Sequence, residues 1–100
     1  MMAKKRVSRQ EKIPIRLSGE NRDLILEQTY IDTDHIELLK TAKLENDVIT
    51  IYLTLDDLDD ILGYIAFAAN HADNSKLEAK HDKLYDQLDY LESMYEMIED

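Results

Sequence analysis

Three features of the sequence predict an α+β fold. A β-branched alternating run stands at 48-VITIYL-53 and a second alternating run at 13-IPIRLS-18, and two long apolar seams of helical period lie between residues 55 and 99. They predict a small antiparallel sheet of two or three strands, with two short helices, packed on a C-terminal antiparallel helical hairpin. One hundred residues make one domain, placed here at 13–100 with the hairpin over 55–99. Residues 1–12 are polar, charged and aperiodic, which predicts a flexible basic arm.

In 13-IPIRLS-18, Ile13, Ile15 and Leu17 alternate with Pro14, Arg16 and Ser18. This reads as a half-buried strand, and Pro14 confines it to a sheet edge because proline donates no ladder hydrogen bond. Ser18 is placed to cap a helix that carries Glu20 in its first turn and ends near Thr29. The segment 32-DTDHIELLKTAK-43 begins with cap residues, sets Ile36, Leu39 and Ala42 on one face and carries Lys40 and Lys43 near its end. In the strand 48–53, Ile49, Ile51 and Leu53 should face inward. Asn46-Asp47 before it is turn chemistry. Residues 41–45 are therefore either the end of the second helix or the first arm of a hairpin.

Thr54 supplies a cap for the third helix. Leu55, Leu58, Leu62, Ile65, Ala69 and Ala72 follow at alternating spacings of three and four. Ser75-x-x-Glu78 reads as a capping box opening a fourth helix, along which Leu77, His81, Leu84, Leu88, Leu91, Tyr95 and Ile98 form the facing seam. The arms are unequal: roughly 27 Å for residues 55–72 against roughly 37 Å for 75–99 at 1.5 Å per residue. The end of helix four must therefore overhang or fold against the sheet and first helix. There Tyr90, Met94 and Met97 add a second apolar row beside Leu91, Tyr95 and Ile98. A helix apolar over so wide an arc touches more than one neighbour. Either the row covers the sheet within the same chain, or it meets a partner, a role that suits methionine and tyrosine.

Charge is unevenly placed. The chain carries a net charge of −10, yet residues 1–16 hold six bases (Lys4, Lys5, Arg6, Arg9, Lys12 and Arg16) against Glu11. A basic arm on an acidic body predicts weak mutual attraction, screened by salt beyond about 8–10 Å. Zero cysteines excludes disulfides and thiolate metal sites and fits a reducing compartment. No run approaches the ~18 consecutive apolar residues of a membrane span, and MMAKKRVSRQEK lacks the apolar stretch of a signal peptide, so a cytoplasmic location is expected.

Candidate chemistry is sparse. Asp56, Asp57, Asp59 and Asp60 fan around a helix rather than converging on one point as a hard cation requires, and no EF-hand loop surrounds them. In a helix's first turns each is favoured by about 0.3–1 kcal/mol through the exposed N–H groups. They start a helix. His71 and His81, with Asp73 or Glu78, are the residues that sketch a two-histidine, one-carboxylate metal site if the hairpin turn brings them together. No His-x-x-x-His or Glu-x-x-His pair supports it, and His71 near a helix end and His81 on the seam both have structural roles. Gly19 and Gly63 stand alone, so no phosphate-cradling loop or Gly-x-Ser-x-Gly elbow exists. Gly63, followed by Ala66, Ala68 and Ala69, reads as a point of close backbone approach.

The expectation is thus a small non-enzymatic interaction or regulatory module without cofactor or metal. It would meet a protein partner, or a second copy of itself as a homodimer, through Tyr90, Met94, Tyr95, Met97 and Ile98. The alternative is a regulator acting around nucleic acid in one of two ways. The arm residues Lys4, Lys5, Arg6, Arg9 and Lys12 would neutralise phosphates, or the acidic row Glu78, Asp82, Asp86, Asp89, Glu96 and Asp100 would occupy the basic groove of a DNA-binding protein.

Overall fold

The computed structural model describes residues 4–29 and 31–98. In chain order the elements are β1 (Lys5–Val7), β2 (Ile13–Ser18), α1 (Gly19–Gln28), α2 (Thr33–Thr41), β3 (Val48–Leu53), α3 (Leu55–Asn70), α4 (Ser75–Ser93) and β4 (Tyr95–Met97). The fold is α+β: an antiparallel β2–β3 pair, a parallel β1–β4 pair and a closely packed α3–α4 hairpin. No helix among the described residues is long and apolar enough to cross a membrane.

The alternation in the two long strands sets their register. Ile13 lies opposite Leu53, Ile15 opposite Ile51 and Leu17 opposite Ile49, and all six side chains are buried. The other face carries the exposed pairs Pro14–Tyr52 and Arg16–Thr50. A one-residue slip would turn the apolar set to solvent, so burial alone specifies this pairing. Each strand of a two-stranded sheet is an edge, which is why Pro14 is tolerated. Ahead of β3, Asn46 and Asp47 both have positive φ, 52° and 64°, while Glu45 and Val48 exchange backbone hydrogen bonds of 2.9 Å on either side. This is a two-residue type I′ turn, in the conformation that asparagine and aspartate enter most readily. The hairpin stops there. Residues 41–45 contribute a single bridge at Glu45 rather than a third strand, and the Gly19 N–H fastens to the Asp47 carbonyl at 2.8 Å.

Each helix starts on a side-chain acceptor. Ser18, Asp32 and Thr54 take the N–H groups of Asn21, His35 and Asp57 at 3.0–3.1 Å, as their positions predict. The fourth cap is Asn74 rather than Ser75: its Oδ1 accepts the Leu77 N–H at 2.8 Å, and Ser75 becomes the first helical residue. Along the hairpin Leu55, Leu58, Leu62, Ile65 and Ala69 face Leu84 and Leu88 in a core that also takes His81. Ile61 and Ala68 widen the buried stripe on α3, which lets it touch both α4 and the sheet side of the core. Gly63 does not serve close approach, since a Cβ there would meet nothing within 4 Å.

Two expectations about the ends are corrected together. Residues 5–7, read as part of a flexible arm, form β1, and helix four stops at Ser93 instead of running to 99. The cause is shared. Leu84, Leu88 and the half-buried Leu91 take up the packing of α4, the helix closes at Ser93, and β1 offers the residues beyond it a strand to pair with. As a strand, Tyr95 and Met97 turn their side chains toward the core, in register with Lys5 and Val7. Val7, the only β-branched residue of the basic stretch, is 0% exposed. The Lys5 N–H donates to the Met94 carbonyl at 3.0 Å and the Ile98 N–H to the Val7 carbonyl at 2.8 Å. Residues 1–3 and 99–100, which include the end of the expected arm and Asp100, lie outside the described residues.

Candidate functional site

Sequence reasoning placed five residues of the α4–β4 corner on one surface. The structure divides them. Tyr90 and Met94, four residues apart, share one helix face and are 68% and 42% exposed, and Ile98 beyond β4 is 45% exposed. Tyr95 and Met97 point the other way and pack, half-buried, against the core. The strand period explains the division: once Tyr95 and Met97 face inward, Glu96 between them must face out.

Charge surrounds this corner. Asp86, Asp89 and Glu96 are exposed. Glu92, one helical turn beyond Asp89, has an Oε2 that is buried with no hydrogen-bond partner. Its carboxyl is raised above the ordinary glutamate range, chiefly by burial and further by the charges of Asp59 on α3 and Asp89 on its own helix. The acidic row expected along helix four is interrupted: Glu78, Asp82, Asp86 and Asp89 lie exposed on α4, while Glu96 belongs to β4.

The basic residues of the arm fold back on the acidic body. Arg6 lies opposite Glu96 in the β1–β4 register, with Nε 3.8 Å from its carboxylate, and the Arg9 Nε stands 3.9 Å from Asp56. Lys4, Lys5 and Lys12 are exposed. Each of the helix-starting aspartates thus has its own surroundings. Asp56 meets Arg9, Asp57 meets His35, Asp59 acts on Glu92, and Asp60 faces solvent.

His35 is the buried polar residue that the sequence did not single out. It is 6% exposed, with Nδ1 3.3 Å from Asp32 and Nε2 3.5 Å from Asp57, so it joins the starts of α2 and α3. The Nδ1 contact is too poorly aligned to count as a hydrogen bond. Its ring lies between Asp32 at the start of α2 and Asp57 in the first turn of α3, and so spans the two helices.

Two clefts lie elsewhere. A broad groove between α1 and α4 is crossed by Lys80–Glu20 at 3.8 Å and Asn21–Gln87 at 3.4 Å, and its mixed charges select no ligand chemistry. A smaller cavity of about 240 Å³ at the hairpin turn gathers His71, Asp73 and His81. The sequence pairs these residues as potential ligands, and the fold does bring them to one cavity without Glu78. Even so, among the described residues no three histidine, aspartate or glutamate side chains are grouped so as to hold a metal ion. Phe67, exposed beside the cavity and stacked on His71 with ring centroids 4.1 Å apart, carried no sequence signal beyond being the sole phenylalanine.

Compared with protein-family models, curated proteins and solved structures, the chain matches none.

Proposed function

We propose that this protein is a non-enzymatic interaction module that receives a protein partner at the α4–β4 corner. The observation that carries this reading is the exposure of Tyr90, Met94 and Ile98 at and just beyond the end of a helix whose leucines are committed to the core. Burying a side chain of this size in a partner contributes about 1.5–3 kcal/mol, and tyrosine and methionine are favoured at such contacts. The exposed acids Asp86, Asp89 and Glu96 call for a partner with a basic rim around an apolar depression. Self-association through the same face would set two acidic rims against each other, which favours an unlike partner. Arg6 and Arg9 already lie beside Glu96 and Asp56, so the arm has less charge free for phosphates than its composition suggests.

The test is affinity capture from nuclease-treated lysate with the intact chain beside a Tyr90→Asp/Met94→Asp double variant, chosen because both side chains lie outside the core. The variant should melt as the parent does. A protein retained by the parent at moderate salt and lost by the variant supports the reading. Equal retention by both removes the corner as the contact surface. Retention that collapses as salt rises would shift the reading to the charged arm.

A further inference from the structure

β1 is lightly held. It is three residues long, and among the described residues its one extensive neighbour is β4, which in turn adjoins chiefly β1 and the end of α4. The two strands form a parallel pair of their own, outside the β2–β3 sheet. A two-stranded sheet is marginal by itself, and parallel pairing is weaker per residue than antiparallel. One apolar side chain, Val7, docks β1 on the core, while Lys5 and Arg6 are exposed. The ion pairs Arg6–Glu96 and Arg9–Asp56 join exposed side chains at 3.8 and 3.9 Å and add little. We infer that β1 is a displaceable strap, and that the protein partner proposed above takes its place on β4 with an extended segment of the same pattern, a base followed by a β-branched residue. The inference rests on the reading of the α4–β4 corner as a contact surface and gives that partner its chemistry.

The strap is continuous with that surface. The main-chain groups it occupies belong to Met94, whose carbonyl accepts from the Lys5 N–H, and to Ile98, whose N–H donates to the Val7 carbonyl. Both residues have exposed side chains at the corner. Departure of β1 frees these groups, and an added strand restores their bonds whatever its sequence, while side chains select which strand is taken. The selection is legible in the strap itself. A period of two sends Arg6 outward against Glu96 and Val7 inward to full burial beside Met97. Two residues past Val7, Arg9 reaches Asp56. An incoming strand therefore needs a base, a β-branched residue and a second base at the spacing of 6-RVSR-9. The exposed acids Asp86 and Asp89 favour the same positive charge. A tethered strap competes at an effective concentration in the mM range, so the partner must bind better than the strap does.

The experiment is amide NMR on the full chain, with the peptide 4-KKRVSRQEK-12 as probe. In the parent, the Lys5 and Ile98 N–H groups should exchange with solvent about 100-fold faster than the hydrogen-bonded amides of β2 and β3, through local opening. Val7→Asn weakens the strap and should let the peptide bind in trans, with saturable shifts at Tyr95–Ile98. Arg6→Glu, which sets like charges opposite each other and leaves the core alone, should do the same and serves if Val7→Asn fails to fold. A peptide carrying Val7→Asp should bind about tenfold more weakly. Exchange at Lys5 and Ile98 no faster than in β2 and β3 would overturn the strap. No saturable shift in either variant, or equal binding of the altered peptide, would overturn the assigned segment. A parent that sediments as a dimer would give the place to the strap of a second copy and overturn the unlike partner. None of these measurements involves Tyr90 or a lysate, so the strap can fail while the capture experiment upholds the corner, and the reverse.

Discussion

Glu92 is the residue at which packing and charge conflict most openly. Burial, Asp59 and Asp89 all push its carboxyl above the ordinary range, so the folded chain holds the Glu92 proton more tightly than the unfolded chain does. A raised acid makes stability fall as pH rises from the ordinary glutamate range through the elevated value, and the penalty is complete above it. Glu92→Gln should therefore stabilise the protein at neutral pH. Like charges one turn apart on a helix cost about 0.2–0.5 kcal/mol, so relief from Asp89 alone gives that much, and burial and Asp59 act in the same direction. Urea denaturation of parent and variant across pH measures this. The difference should be present at pH 7 and vanish in acid, where Glu92 is protonated in both states. The sequence showed that residue 92 is an acid near Asp89 but not that Asp59 faces it, because that contact needs the hairpin to close. His35 was hidden for the same reason. Its two aspartates come from different helices, and only Asp32 is near it in sequence. The caps at Ser18, Asp32 and Thr54 were legible because a cap acts within three residues of itself.

At the scale of elements, the hairpin and the β2–β3 pair could be read from periodicity, while the chain ends could not. Three-residue strands are too short to show a period, and β4 sits inside a seven-residue spacing that also suits a helix. What decides between helix and strand for 95–97 is the arrival of β1 as a strand to pair with, a tertiary fact. Val7→Ala tests whether this closure matters. Removing two buried methyl groups should cost about 1.5–3 kcal/mol, an effect absent from a mobile arm and readable in the denaturation midpoint. Within α3, Gly63 gives the opposite test. It is exposed in mid-helix with nothing near its missing Cβ, so Gly63→Ala should stabilise by about 0.5–1 kcal/mol, measured as a rise in Tm. A loss of stability would mean that another backbone does approach this point, as the run of small residues first suggests.

The whole molecule measures 42 × 28 × 25 Å and carries a net charge of −10. At 0.01 M salt the screening length is about 30 Å, wider than the cross-section, so acids on one side repel those on the other. At 0.15 M it shrinks to about 8 Å, and only near neighbours interact. The attractions that salt would also weaken, Arg6–Glu96, Arg9–Asp56, Lys43–Glu45 and Lys80–Glu20, join exposed side chains at 3.4–3.9 Å. Exposed pairs of this kind contribute about 0–1 kcal/mol each and lie within the range that 0.15 M salt still leaves intact. Long-range repulsion is thus screened more fully than short-range attraction, and the balance was visible in composition because it depends on counts more than on contacts. Melting temperature should rise between 0.01 M and 0.15 M NaCl, most steeply at the dilute end, followed by circular dichroism at neutral pH. A fall over the same interval would show that the pairs tying the N-terminal segment to β4 and α3 outweigh the repulsion of the body.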